Sequence, residues 1–491
     1  MNTVLDRIRA QKEYKELVRS LESSVKYSKG LPAAVTGMCD GAEQAYIAAL
    51  CADTELPVLV ITPLEKDAKE MCDCLRACGI ASEHFPERDF NFRDISASHE
   101  FEHKRLGVLF ALQSGKARVA VCSLAAAASR TVPPEQLSEL CFTVKPGDEI
   151  PIGTLADMAQ RAGYIRADMC DGAGMYSVRG GIFDIFPAGA EQGVRIEFFG
   201  DEVDTVNAYD PMTQRRCGML DSVTVIPARE VVPDAAARER IARSLERLEG
   251  RAKDSDRLKK ELSEVHSDAE IRFADRYMDL VFSRMAALQD YFADGSITVC
   301  TDLKGISDSM KSLEFRTSQS AAEFIDEGLC EGKNAVWNIS RTELFSHLYS
   351  SGSLLFSRFG GAMSGVEISD LYDMKTRESV NYLGRAELLL DDVKRYIAAG
   401  YTVDILCGSP SGAHNTRIFL EEGGVRCTEE FCDAGAVRLF GGMPVKGFEF
   451  PEQFYACLTL SEDEGRRAAR AKRNRAAARK SKGERILSYA D

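Results

Sequence analysis

The chain has 491 residues, of which 45% are hydrophobic and 28% are charged, and its formal net charge is −14. This length exceeds what one hydrophobic core supports, so we expect three or four domains of about 100–150 residues. The acidic balance argues against a chain that coats nucleic acid along its whole length. The sequence has neither a secretory signal nor an apolar run of the ~20 residues that a membrane span needs, so it is typical of a soluble cytoplasmic protein.

Fifteen cysteines are scattered along the chain, mostly within apolar patterns. Their odd number and their spacing are typical of small buried side chains in a reducing compartment. Cys72, Cys74 and Cys78 form the one cluster, but it has no paired CxxC and no nearby histidine. The sequence therefore predicts no metal site.

The chain opens with one or two helices over 1–30, followed by a strand at 33–35, a helix over 42–51 and a strong strand at 58–62. This β-loop-α-β order predicts an α/β domain of the kind that binds nucleotides. Beyond it, Phe90 and Phe92 precede a charged helix over 99–112. Two such rings can stack on a base, but they more commonly staple the start of a helix.

The loop after the first strand resembles a phosphate-binding loop that has lost its chemistry. Gly37, Asp40, Gly41 and Ala42 occupy it, without the lysine that reaches the phosphates or the Ser/Thr that holds magnesium. Carboxylates at a helix N-terminus repel a triphosphate. A strand at 297–302 likewise ends in Asp302 without a following glutamate. We expect a degenerate P-loop NTPase (RecA/UvrB-like) domain with no bound nucleotide and no metal; a functional variant is the alternative.

After a helix over 155–162, the stretch 175–230 shows the strongest period-two pattern in the chain. Strands over 176–186, 194–199 and 202–209 form an antiparallel meander, with turns at 187–189 and 200–201. Arg179, Asp184 and Arg195 fall on one face of this thin sheet. The arginines either pair with neighbouring carboxylates on a solvated face or present guanidinium groups to a partner.

From 233 to 288 the sequence is charged and has a helical pattern. A strand and a helix follow up to 327, and a short strand is expected at 335–339. A Gly/Ser-rich loop follows over 352–365. A last α/β unit has a helix over 384–399, strands at 401–406, 437–440 and 455–460, and a loop at 408–412 that is either an anion site or a plain connection. Ten basic residues and one acidic residue then lie between Arg466 and Arg485, a linker that binds DNA phosphates or is merely solvated.

Four blocks together resemble the amino-terminal half of bacterial transcription-repair coupling factors. They are VTGMCDGAEQA; YSVRGGIFDIFP with RIEFFGDEVDTVNAYDPMTQR and IPARE; KGFEFPEQFYACLTLSEDE; and KGERILSYAD. The second block is also similar to the excision-repair protein UvrB. The resemblance implies a UvrB-like domain over 1–145, a UvrA-binding β-meander domain over 146–228 and a helical return to the first domain over 229–350. It further implies a linker over 351–365, a small α/β domain over 366–461 and, over 462–491, a basic linker that enters a polymerase-interaction domain.

The family resemblance also implies a function. The meander domain recruits UvrA through Arg179 and Arg195, with Phe183 and Arg166 as weaker candidates; Ser177 stands where UvrB has an arginine. The resemblance implies that the segments that follow bind RNA polymerase and form a double-stranded DNA translocase that depends on ATP and Mg. The chain is then a fragment of a longer bacterial protein. We expect it to have no catalysis, no cofactor and no firm DNA contact of its own. The alternative is an ATP-dependent enzyme of the UvrB type that binds damaged DNA.

Overall fold

The computed structural model describes residues 2–27, 30–88, 90, 99–267, 270–292, 295–350, 352–358, 366–382, 385–428, 435–441 and 446–460. The predicted Phe92 and the basic segment 466–485 lie outside them. In chain order the opening elements are α1 (Asn2–Ala10), α2 (Lys12–Tyr27), β1 (Ala33–Thr36), α3 (Asp40–Asp53), β2 (Val58–Thr62), α4 (Glu65–Ala77), β3 (Glu83–Phe85), α5 (Glu100–Gln113), β4 (Val119–Ser123), α6 (Leu124–Ala128) and α7 (Pro134–Leu140).

The middle of the chain is mostly β-strand. Its elements are β5 (Phe142–Val144), α8 (Ile152–Arg161), β6 (Ile165–Arg166), β7 (Met175–Arg179), β8 (Ile182–Phe186), β9 (Gly193–Phe199), β10 (Glu202–Tyr209), β11 (Arg216–Met219) and β12 (Val223–Val225). Helices then return as α9 (Ala235–Leu248), α10 (Ser255–His266) and α11 (Met278–Val281). They are followed by β13 (Ile297–Cys300), α12 (Leu303–Asp326), α13 (Arg341–Leu348), β14 (Ser353–Ser357) and β15 (Leu371–Asp373).

The last described elements are β16 (Arg377–Glu378), α14 (Ala386–Ala398), β17 (Thr402–Leu406), α15 (Pro410–Glu422), β18 (Cys427–Thr428), β19 (Val437–Phe440), β20 (Phe448–Phe450) and β21 (Tyr455–Thr459). Three short 3-10 helices at Ala274–Tyr277, Leu288–Tyr291 and Gly332–Asn334 join the helical stretch, and a fourth at Pro451–Gln453 precedes β21.

The first unit is built on a parallel sheet of seven strands in the order β15-β1-β14-β13-β2-β4-β3. Its central strands are continuous apolar runs such as VLVIT and VAVCS, and every residue in them is buried. Such runs belong to strands covered on both faces. Helices α1–α4 pack on one side, and α5, α6, α9 and α12 lie on the other, giving two core clusters.

The second unit is an antiparallel sheet with one parallel edge strand, in the order β11-β10-β9-β8-β7-β6. Helix α8 packs its apolar residues Leu155 and Ala159 on one face of the sheet, called here the inner face, and the pair β5–β12 closes this small core. The third unit, residues 374–460, is a sheet in the order β16-β20-β21-β17-β19-β18 with α14 and α15 on one side.

Several sequence-based expectations are confirmed. The chain is a mixed α/β protein of several units, the β-loop-α-β opening is present, and the strands predicted at 194–199 and 202–209 fall within a residue or two of their observed bounds. Three assignments were wrong. The strand expected over 176–186 is two antiparallel strands, β7 and β8, that turn at Gly180-Gly181. Residues 335–339 form no strand, and the expected loop at 352–365 begins with the fully buried β14 in the centre of the first sheet.

Candidate protein-binding face

The side of the six-stranded sheet opposite α8, called here the outer face, collects alternate residues from four strands. The register pairs Ser177 with Asp184, Asp184 with Arg195 and Arg195 with Asn207. Because strand side chains alternate between faces, residues two positions along join the same face. These are Arg179, Glu197, Phe199, Thr205 and, on the edge strand β11, Met219.

Two arginines converge on one buried carboxylate at the centre of this face. Asp184 is fully buried and accepts hydrogen bonds from Arg195 Nε at 2.7 Å, Arg195 Nη2 at 2.9 Å and Arg179 Nη2 at 2.7 Å. The hydrogen bond to Asp184 raises the pKa of the Arg195 guanidinium, whose carbon lies 5.1 Å from the ring centre of Tyr209. The predicted pairing with a neighbouring carboxylate therefore exists, but two cations share one anion and leave an excess positive charge.

One half of the outer face is covered. The Tyr209 ring lies across Gly193, where a Cβ would come within 2.5 Å of ring carbon Cε1; glycine is therefore the residue that fits there. The Tyr209 hydroxyl donates to the Cys170 carbonyl at 2.6 Å, and Gln214 Nε2 donates to the same oxygen at 3.4 Å. The loop at 167–174 therefore covers this half of the outer face. Through Tyr209 it borders the charged centre on one side.

The other half is open to solvent and combines charge with apolar surface. The Arg179 side chain is 50% exposed, and Arg216 on β11 pairs with Glu197. Phe199 is 83% exposed and Met219 79% exposed. Arginine with exposed aromatic and methionine side chains is the composition enriched at protein interfaces.

The structure brings together only part of the predicted site. Arg179 and Arg195 share the outer face and the same carboxylate. Phe183 is fully buried on the inner face, stacked on Tyr176 at 5.6 Å between ring centres, so it is a core residue and not a surface anchor. Arg166 is exposed on the edge strand β6, but its register partner is the inner-face Tyr176.

We did not predict Phe199, Arg216 or Met219 as site residues from the sequence. The signal for Phe199 was present, since it is four positions from Arg195 in the same strand and strand side chains repeat every two residues. Phe199 and Met219 are both large, exposed apolar side chains on this face, and exposed apolar patches mark interaction sites.

The motif Arg229-Glu230 anchors the second unit to the first. Buried Glu230 accepts from Arg88 Nη1 at 2.7 Å, Arg105 Nε at 2.6 Å and Thr131 Oγ1 at 2.6 Å, while its backbone N–H donates to Glu102 at 2.7 Å. Such charge-assisted hydrogen bonds compensate the burial of the ions. The block IPARE therefore fixes the point at which the chain returns from the second unit to the first.

Arg229 adds a second ion pair to this junction. Its Nε lies 3.0 Å from Glu102, and its guanidinium also pairs with Glu270. Burial alone would raise the pKa of Glu102, but the charge of Arg229 and the hydrogen bond from His99 outweigh it and hold that pKa well below its ordinary value.

The loop expected to be a degenerate phosphate site lies at the carboxyl edge of the first sheet. Gly37 has a φ of +75°, Asp40 begins α3, and Gly41 and Ala42 are buried. Asp40 pairs with Arg358 and with Lys446 of the third unit, whose Nζ is 3.0 Å away. Burial would raise the pKa of Asp40, but these two cations hold it below its usual range.

A cleft of about 250 Å³ adjoins this loop. Its lining contains five acidic side chains and two basic ones: Asp40, Glu43, Asp67, Glu70, Asp302, Arg358 and Lys446. Burial raises the pKa of Glu43 to about 8. Within the described residues, no group of three or more His, Cys, Asp or Glu side chains is arranged to hold a metal ion. A surface of this charge disfavours a triphosphate.

The described cysteines are all free thiols, and most are buried. In the same part of the chain, no helix has the length and apolar character required to cross a membrane.

Comparison with known proteins defines the class of the second unit first. Residues 142–231 match the family model of the UvrB interaction domain, which covers the six-stranded sheet, α8 and the Arg229-Glu230 motif. The unit that carries the outer face is therefore similar to UvrB interaction domains.

The chain as a whole is similar to transcription-repair-coupling factors. It is 25% identical to that of Bacillus subtilis (strain 168) over 518 aligned positions, covering 100% of the chain and 42% of the relative. It is 22% identical to that of Staphylococcus aureus (strain MRSA252) over 93% of the chain and 40% of the relative. The chain thus spans about two fifths of the length of these relatives, and the predicted resemblance is confirmed.

Proposed function

We propose that this chain is a DNA-repair recruitment module that binds UvrA through the outer face of its UvrB interaction domain. The observation that carries the proposal is the match of residues 142–231 to that domain, together with an exposed arginine at the centre of its open face. Acidic groups of a partner are the natural counterpart of this excess positive charge.

The structure supports different roles for the two arginines. Arg195 is only 15% exposed in its side chain and bidentate on Asp184, so it holds the carboxylate and positions Arg179. Arg179 is half exposed and donates one hydrogen bond to Asp184, which orients the guanidinium before a partner arrives. Phe199 and Met219 supply the apolar contact area around it.

The wider role follows the relatives. In a protein of their length, the recruitment module would bring excision repair to stalled RNA polymerase. The translocase, with its ATP and Mg, would lie in the part of the relatives that this chain does not match. The chain itself would be non-catalytic, and the whole would act in the bacterial cytoplasm.

Co-elution with purified UvrA on a sizing column tests the proposal. The wild-type chain should co-elute, and Arg179→Glu, which places a carboxylate beside Asp184 on the open face, should not. The matched control is Arg161→Glu, since Arg161 is an exposed residue of α8 in the same domain but on the opposite layer. Loss of binding by both variants, or by neither, would argue against the outer face.

The second candidate function is an ATP-dependent enzyme of the UvrB type. The Lys446 backbone beside Gly41 and the acidic lining around Asp40 argue against it. A fluorescent ATP analogue titrated into the chain should show no saturable binding in the micromolar range, and saturation would favour this alternative.

A further inference from the structure

We propose that the third unit serves as an intramolecular ligand of the first unit, filling the crevice at the carboxyl edge of the parallel sheet that open α/β folds use for small molecules. This role is separate from the binding of UvrA. It gives a function to residues 374–460, which do not contribute to the outer face.

The main chain of the third unit satisfies the loop that would otherwise surround a ligand. Thr376 N–H donates to the Gly37 carbonyl at 3.1 Å, next to the bond from Met374 N–H to Thr36 that continues the pairing of β15 with β1 in the first sheet. The Thr376 hydroxyl also accepts from Cys39 N–H at 2.8 Å. The N–H of Cys39, at the start of α3, is the kind of donor that an anion takes in a phosphate site. Here a threonine side chain takes it.

The third unit closes the crevice at the two glycines, beside the cleft that Asp40 and Lys446 line. A Cβ added to Gly41 would collide with the carbonyl of Lys446, approaching its carbon to 2.7 Å, and a Cβ added to Gly37 would approach the Met374 carbonyl oxygen to 2.7 Å. The Lys446 carbonyl belongs to the third unit, and the Met374 carbonyl lies where the chain passes from β15 into that unit. Glycine at these two positions therefore allows the protein backbone to approach closely, where in a phosphate site it would allow a phosphate group to do so.

The charges of the first and third units are also complementary at this contact. The Lys446 ammonium lies 3.0 Å from Asp40 and 4.0 Å from Glu70, so the third unit brings a cation to an acidic crevice. A phosphate-binding site needs the opposite polarity. The ion pair is partly exposed, with side chains 49% and 31% accessible, so it contributes orientation more than stability.

An apolar core completes the contact. Phe448, Phe450 and Tyr455 belong to the same cluster as the residues of α1–α3, and the Phe450 ring centre lies 6.2 Å from that of Tyr46. The Tyr46 hydroxyl reaches Met374 Sδ at 3.5 Å. Burial of several large side chains makes this a permanent contact and not a transient one.

Hydrogen exchange on the whole chain tests the proposal, with Gly41→Ala as the perturbation. Alanine is otherwise favoured over glycine inside a helix, so any loosening comes from the collision with Lys446. The amide of Thr376 should exchange at least tenfold faster than in the wild type, because its hydrogen bond to Gly37 crosses the contact. The matched control is Gly107→Ala in α5, where a Cβ has nothing within 4 Å; it should keep wild-type exchange. Unchanged protection of Thr376 in Gly41→Ala would overturn the proposal.

Two further arms keep the test decisive. Lys446→Ala leaves both glycines intact and removes only the cation that orients the contact, so the Thr376 amide should exchange faster, but by a smaller factor than in Gly41→Ala because the ion pair is partly exposed. If Gly41→Ala does not fold, unchanged exchange in Lys446→Ala overturns the proposal. An excess of Mg-ATP added to the wild type should leave the exchange of Thr376 unchanged, and faster exchange would show that a nucleotide still displaces the third unit.

Discussion

Substitution of Glu230 by glutamine perturbs the junction between the first two units with a minimal change of shape. Glu230 and Arg105 both have fully buried side chains, and Glu230 accepts three side-chain hydrogen bonds of 2.6–2.7 Å. In Glu230→Gln the amide NH2 group replaces one carboxylate oxygen and faces hydrogen-bond donors. The buried guanidinium groups of Arg88 and Arg105 also lose the anion that they share. Breaking a buried ion pair in this way costs about 3–5 kcal/mol.

Scanning calorimetry measures the effect as a shift in the melting temperature of the transition that contains the first unit. A loss of 1 kcal/mol moves a unit of 150–250 residues by about 2–4 °C, so Glu230→Gln should lower that transition by about 6–20 °C. The control is Glu239→Gln on α9, because Glu239 makes an exposed pair with Arg243, and such pairs contribute about 0.3–0.5 kcal/mol. A shift for Glu230→Gln no larger than that of the control would refute the role of the junction.

Three further predictions concern single side chains. Phe183→Ala should lower the free energy of unfolding by about 3–5 kcal/mol because the ring is buried, whereas Phe199→Ala should change it by less than about 0.5 kcal/mol; equal losses in thermal melts would contradict the assignment of the two rings. Burial raises the pKa of Glu43 from 4.5 to about 8, so its contribution to stability is lost as the pH rises between these values. Glu43→Gln should therefore match the wild type at pH 4 and exceed its melting temperature at pH 8, and equal melting at pH 8 would count against a protonated Glu43. The pKa of Glu102 is lowered, so its contribution is present above pH 4.5 and is lost as the pH falls through the folded value; Glu102→Gln should melt below the wild type at pH 7 and converge with it in acid, and a constant difference would contradict this.

Local patterns predicted the second unit well. Alternation of apolar and polar residues over 175–209 is a property of neighbouring residues, and it placed β9, β10 and the shared face of Arg179 and Arg195, although it did not separate β7 from β8. The same rule excludes Phe183 from that face, because it adjoins Asp184 in one strand and adjacent side chains point to opposite faces. The family motif suggested Phe183, whereas the period of the strand identifies it as a core residue.

Tertiary contacts decided the features that the sequence did not predict. The strand β14 has serine at both ends and glycine before it, which is typical of a loop, but its position between β1 and β13 buries all five residues. The pair Asp40–Lys446 joins residues 406 positions apart, and no local pattern indicates such a contact. The missing lysine of the phosphate loop was evident from the sequence, whereas the protein segment that covers that loop was not.

The most direct test of the proposed function is an equilibrium titration of UvrA with three proteins: the wild type, Arg179→Glu and Arg161→Glu. We predict that Arg179→Glu binds at least about tenfold more weakly than the wild type, a change of about 1.4 kcal/mol or more, and that Arg161→Glu binds as the wild type does. Equal affinities of Arg179→Glu and the wild type for UvrA would contradict the assignment of the outer face as the UvrA-binding surface.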